Sequence, residues 1–129
     1  MNATELTIGD WVYFGNDEYS PSKIEGILPY DEGIVLDFDN EPVANENIRP
    51  IPLTEEIIKA NGWRYDYIYK IWLYEDEDKM DFCVKIAEIR GISVSLYKDY
   101  PIIFINNVHE LQHALRLCGL QELADNFIL

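Results

Sequence analysis

The sequence is poor in cysteine, in basic residues and in long apolar runs, and each shortage excludes a class of protein. Two cysteines, Cys83 and Cys118, cannot build the disulfide framework of a small secreted domain. With 10 basic residues against 24 acidic ones, the net charge is −14, which disfavours direct binding to nucleic acid or to an anionic membrane. No apolar run approaches the ~20 residues that span a bilayer. No signal peptide is recognisable either, so a cytoplasmic location is expected.

The composition that remains supports one folded domain or two small lobes. Hydrophobic residues make up 48% of the chain, enough for a core, and aromatic residues reach 13%, which favours sheet structure. The sequence contains no glycine-rich phosphate loop, no serine elbow and no Cys-His nucleophile pair. The acidic excess gives solubility, or else a surface that docks on a basic partner or imitates nucleic acid.

Residues 1–53 predict a small β-rich lobe. Gly9 and Asp10 can bend the backbone before a strand over residues 11–14. Proline, glycine and asparagine then separate three further short strands, predicted over residues 22–28, 33–38 and 47–51. This spacing resembles an SH3-like barrel or β-meander, which is a likeness of fold and not of function.

Residues 54–129 predict an α+β lobe. Thr54 is an N-cap for a short helix that ends at Gly62, with Trp63 folding back onto it. Alternating apolar residues then predict an antiparallel four-stranded sheet with a packed C-terminal helix. The predicted strands cover residues 65–74, 81–86, 92–97 and 102–105. The fold class is therefore α+β, and the two blocks form either two lobes or one compact domain.

The final helix carries the pattern that invites a chemical interpretation. Asn107 is its predicted N-cap and Gly119 its C-terminal stop. Helical spacing puts an apolar face opposite a polar one. The apolar face holds Val108, Leu111, Ala114, Leu115 and Cys118, and the polar face holds His109, Gln112, His113 and Arg116.

His109, Glu110 and His113 have the spacing of a zinc hydrolase motif, with two histidine ligands and a glutamate base. Three features weigh against this interpretation. Only Glu122 and Asp125 follow as acidic candidates for a third ligand, the Arg116 cation lies on the same face, and Glu110 stands at capping-box spacing from Asn107. We therefore expect no metal and no cofactor, and an enzyme is disfavoured.

A stripe of tyrosines gives the candidate interaction surface. Tyr65, Tyr67 and Tyr69 alternate along a predicted strand, where they would pack across strands or else form a binding face. The acidic run that follows predicts a solvated turn, which extends this surface. That run is Glu75, Asp76, Glu77 and Asp78.

Three stretches resemble a set of small uncharacterised proteins encoded in Bacteroidetes genomes, often in prophages and other mobile elements. They are residues 6–12 (LTIGDWV), 48–63 (IRPIPLTEEIIKANGW) and 108–119 (VHELQHALRLCG). The resemblance implies a bacterial or phage cytoplasmic protein without assigned chemistry. In that family the position of Glu110 is often Gln, and the position of His113 is not always His, which further disfavours zinc.

Three functional hypotheses follow. The first is a non-enzymatic binding or adaptor protein with a protein partner. The second is an acidic anti-defence inhibitor, acting as a nucleic-acid mimic or as a trap for a nucleotide. The third is a zinc hydrolase that uses His109, Glu110 and His113. The sequence does not indicate the oligomeric state.

Overall fold

The computed structural model shows the mixed α+β class that the sequence predicts, with two antiparallel sheets and three α-helices in the described part of the chain. None of the described helices is both long and apolar enough to cross a lipid bilayer. The structure describes residues 5–15, 19–28, 33–37, 41–68, 71–74, 82–87, 91–96, 100–117 and 119–129.

The chain divides into two compact units. Unit 1 consists of Met1–Pro52 and Asn107–Asn126, and unit 2 consists of Leu53–Asn106 and Phe127–Leu129. Whether residues 1–53 and 54–129 form separate domains stays a prediction. However, the prediction placed the final helix in the second lobe, whereas the structure groups it with the N-terminal sheet. Side-chain bonds between distant residues, described below, account for this grouping.

Unit 1 contains a four-stranded sheet in the order β3-β2-β1-β4. The strands are β1 (Trp11–Phe14), β2 (Ser20–Ile27), β3 (Ile34–Leu36) and β4 (Ile48–Arg49). Period-two alternation turns one set of apolar side chains inward, and these form a single buried cluster. The cluster consists of Leu6, Val12, Ile24, Ile34, Leu36 and Ile48.

Helix α1 (Glu55–Ala60) opens unit 2 with the predicted caps. The Thr54 hydroxyl accepts a hydrogen bond from the Ile57 amide at 3.3 Å. At the other end, the Gly62 amide donates to the Lys59 carbonyl at 3.1 Å and the Trp63 amide to the Ile58 carbonyl at 3.4 Å. This is a Schellman ending, which Gly62 permits because its φ is +92°. It brings the buried Trp63 back over the helix.

The sheet of unit 2 has five strands in chain order. They are β5 (Arg64–Asp66), β6 (Ile71–Tyr74), β7 (Phe82–Ala87), β8 (Gly91–Leu96) and β9 (Tyr100–Ile105). The single strand predicted over residues 65–74 is two strands, β5 and β6, which pair antiparallel. Asp66 explains the break, because its carboxylate accepts the Ile68 amide at 2.8 Å and closes a local turn.

Two helices complete unit 1, α2 (Val108–Leu117) and α3 (Gln121–Asp125). As predicted, Gly119 follows the end of α2, and the Leu120 amide donates to the Leu115 carbonyl at 2.8 Å. At the start of α2, the Asn107 side-chain amide donates to Glu110 Oε1 at 2.7 Å. The predicted capping box consists of bonds between side chains and backbone amides, whereas this bond joins the two side chains.

Candidate functional site

The face of α2 that the sequence predicts to be polar is largely buried. Val108, Leu111, Ala114 and Leu115 are buried as expected. On the other face, however, Gln112 is 0% exposed and His109 is 5% exposed. The polar face of this helix therefore contacts protein, and its partners lie at the start of β1.

Gln112 is held by three hydrogen bonds to backbone groups. Its Oε1 accepts the Trp11 amide at 2.9 Å, and its Nε2 donates to the Gly9 carbonyl at 3.0 Å and to the Ala124 carbonyl at 3.1 Å. A buried amide is stable only where such partners are present. Gln112 therefore joins β1, α2 and α3 in unit 1 and is not available for chemistry.

Asp10 is the centre of a second buried group. Its carboxylate is 0% exposed and lies 2.6 Å from His113 Nε2 and 2.7 Å from Arg116 Nη1. The Thr7 amide donates to the same carboxylate at 2.8 Å. Since an ionised carboxylate only accepts hydrogen bonds, His113 donates through Nε2. The buried negative charge is thus paired and hydrogen-bonded, as burial of a charge requires.

Gly9 allows the helix to approach this closely. Its φ is +94°, and a Cβ at this position would lie 3.1 Å from Arg116 Nη2. A larger residue would strain the backbone and displace the guanidinium. We call Gly9, Asp10, Gln112, His113 and Arg116 the α2 clamp. Its contacts account for two of the four polar residues in the zinc-like motif, Gln112 and His113.

His109 lies beside the α2 clamp without belonging to it. Its ring stands edge-on to His113, with centroids 5.7 Å apart, and its Nδ1 is buried with no hydrogen-bond partner among the described residues. Burial lowers the pKa of His109 below its ordinary value, against the carboxylates of Asp10 and Glu110, which oppose the shift. His109 is therefore a largely neutral side chain near neutral pH.

An open cleft of about 690 Å³ in unit 1 borders both histidines. Its lining consists of Glu5, Glu46, Ile48, Arg49, Pro50, Asn107, His109, Glu110 and His113. Within the described part of the chain, no three His, Cys, Asp or Glu side chains are arranged to hold a metal ion. In addition, His113 Nε2 is committed to Asp10 and Glu110 to Asn107. This geometry does not favour zinc chemistry.

Unit 2 presents a different arrangement, a pocket walled by aromatic rings. The rings of Tyr65 and Tyr67 are nearly perpendicular, at 86°, with centroids 4.9 Å apart. Trp72 lies opposite Tyr65 across the β5–β6 pair, with ring centroids 5.2 Å apart and planes at 58°. These rings line a pocket of about 440 Å³, which we call the aromatic pocket. Glu55, Glu56 and Lys59 of α1 complete its lining.

The structure places part of the predicted interaction surface. Tyr65 is half-buried in β5, whereas Tyr67 lies in the following turn and is 84% exposed, next to Ile68 at 85%. Tyr67 is therefore not part of a strand-spaced stripe, although its ring still contacts Tyr65. Tyr69, Glu75, Asp76, Glu77 and Asp78 lie outside the described residues.

No family model, curated protein or solved structure matches the chain. The candidate sites therefore rest on their own geometry.

Sequence reasoning missed the role of Asp10. A usable signal was present, because His113 and Arg116 stand three residues apart and so project from one helix face. Two cationic or proton-donating side chains in that position can share one acid, and Asp10 follows a glycine that can bend the chain. The contribution of α1 to the aromatic pocket had no comparable signal, since it depends on how β5 and β6 pair.

Proposed function

We propose that this chain is a non-enzymatic binding protein of bacterial or phage origin that contacts a protein partner through the aromatic pocket of unit 2. The observation that carries the proposal is the adjacent exposure of Tyr67 and Ile68, at 84% and 85%. Tyrosine is enriched at interaction hot spots, and large apolar side chains grouped beside a pocket favour burial by a partner. The α2 clamp adds support, because it gives the polar residues of α2 a structural role.

Affinity capture from a bacterial lysate tests this proposal. The double variant Tyr67→Ser/Ile68→Ser should lose the partner that the unmodified chain retains. Ile8→Ser/Leu117→Ser is the matched control, since it removes two side chains of unit 1 that are 59% and 79% exposed. Capture that both double variants lose equally, or that neither loses, would overturn the proposed surface.

The acidic anti-defence inhibitor remains a second candidate, because Glu5, Glu46 and Glu110 line one cleft of unit 1. Carboxylates repel phosphate, so this cleft favours the mimic over the nucleotide trap. A mimic should compete with duplex DNA for a DNA-binding partner, and competition should weaken between about 50 mM and about 300 mM salt. A captured partner that duplex DNA does not displace would eliminate this candidate.

A further inference from the structure

We propose that the aromatic pocket binds an arginine side chain from a basic segment of the partner. This inference rests on the proposed function and names the chemistry of the partner. The three rings meet at large angles, 86° between Tyr65 and Tyr67 and 58° between Tyr65 and Trp72. The face of a tyrosine or tryptophan ring attracts a cation, and three such rings line this pocket.

The carboxylates at the edge of the pocket favour the same ligand. Glu55 and Glu56 are exposed residues of the first turn of α1 and line the pocket with one cation, Lys59. The local charge is therefore negative, as is the charge of the whole chain at −14. A planar guanidinium can stack on a tyrosine while it donates two hydrogen bonds to a carboxylate, which an ammonium group cannot do. Arginine is thus favoured over lysine.

In unit 1, two cationic side chains lie over aromatic rings. The Arg49 guanidinium lies 4.7 Å from the centre of the Tyr19 ring, and Lys23 Nζ lies 5.4 Å from that of Trp11. In unit 2, Tyr65, Tyr67 and Trp72 line one pocket together with carboxylates of α1. The pocket therefore offers ring faces and carboxylates for which a partner's cation is the complementary group.

The test uses the full chain and two short peptides that differ only in charge at one side chain. One is a glycine-serine peptide with a central arginine, and the other carries citrulline, its neutral isostere, at that position. Binding is followed by the indole N–H signals of Trp63 and Trp72 in NMR titrations. We expect the arginine peptide to bind at least about tenfold more tightly, the ratio that one cation–π contact with a charge-assisted bond supplies.

Two pairs of variants separate the pocket from general attraction. Tyr67→Phe keeps the ring and should keep the arginine preference, whereas Tyr67→Leu keeps apolar area and should lose it. Glu55→Gln/Glu56→Gln should weaken binding about tenfold. Glu25→Gln/Glu122→Gln removes the same two charges from exposed positions in unit 1 and should weaken binding less than about twofold.

Equal weakening by both glutamate pairs, or an arginine preference that survives Tyr67→Leu, would overturn the inference. The two proposals fail in different ways. A partner that is captured through Tyr67, but whose binding ignores both Glu55 and Glu56, retains the binding function and overturns the arginine ligand. If the chain prefers the arginine peptide but captures no partner, the proposed chemistry of the pocket is retained. The proposed binding function is then overturned.

Discussion

The α2 clamp of unit 1 buries polar side chains, whereas the aromatic pocket of unit 2 exposes an aromatic side chain. In the clamp, Asp10 and Gln112 are 0% exposed and fully supplied with partners. In the pocket, Tyr67 is 84% exposed, with one ring contact to Tyr65. Buried polar groups that are hydrogen-bonded help to hold a fold together, whereas exposed aromatic groups at a pocket contribute little to folding. This difference supports a structural role for the α2 clamp and is the basis on which we propose a binding role for the aromatic pocket.

Removing the acid of the clamp should have the largest effect. Asp10→Ala leaves the largely buried Arg116 cation and the partly exposed His113 donor without this acceptor. We expect the free energy of unfolding to fall by about 3–5 kcal/mol, measured by urea denaturation. Asp10→Asn keeps an acceptor for the Thr7 amide, so its free energy of unfolding should lie between those of Asp10→Ala and the unmodified chain.

Asp125→Ala is the control for this experiment. Its carboxylate is 50% exposed and lies 3.6 Å from Arg116 Nη2, so we expect a loss of at most about 1 kcal/mol. If Asp10→Ala and Asp125→Ala cost the same, the clamp does not differ from a surface ion pair, and the contrast between the two regions fails.

Gln112→Leu should have the next largest effect. Leucine fills a similar volume but leaves the Trp11 amide and the Gly9 and Ala124 carbonyls without this partner. We expect a loss of about 2–4 kcal/mol in the free energy of unfolding. Gln121→Leu, which removes an exposed amide that donates to Asp125, should cost less than about 0.5 kcal/mol. If Gln112→Leu leaves the free energy of unfolding unchanged, water replaces these bonds.

Local features were predicted from the sequence more successfully than the α2 clamp was. The Thr54 cap, the endings at Gly62 and Gly119 and most strands depend on neighbouring residues, so propensity and spacing predicted them. The Asp10–His113 bond joins residues 103 positions apart. Helical periodicity shows which side chains share a face but not what covers that face, and so the buried Gln112 was missed. The break after Asp66 was missed because its local turn competes with a regular alternating pattern.

The buried, neutral His109 should have a smaller effect, which is a dependence of the free energy of unfolding on pH. Burial lowers its pKa, so the unfolded chain takes up this proton at a higher pH than the folded chain does. The free energy of unfolding therefore falls as pH decreases through about 6.5, and the loss ends below the lowered pKa.

His109→Leu should abolish this part of the pH dependence. The check is a series of urea denaturations between about pH 7.5 and about pH 5.5, in which the variant should lose less stability than the unmodified chain. The Asp10 contacts are unchanged in this variant, so it separates His109 from the clamp. Identical pH profiles would mean that His109 is as accessible to protons as the exposed residues.

The smallest effect on folding should come from Tyr67, and this prediction tests the other side of the comparison. Tyr67→Ala removes a ring that is 84% exposed, so the free energy of unfolding should change by less than about 0.5 kcal/mol. Tyr65→Ala, which removes a half-buried ring in contact with both Tyr67 and Trp72, should cost about 1–3 kcal/mol. If the two variants cost the same, the Tyr67 ring is part of the fold of unit 2. Its exposure would then no longer support a binding role, because a side chain needed for stability requires no partner to explain it.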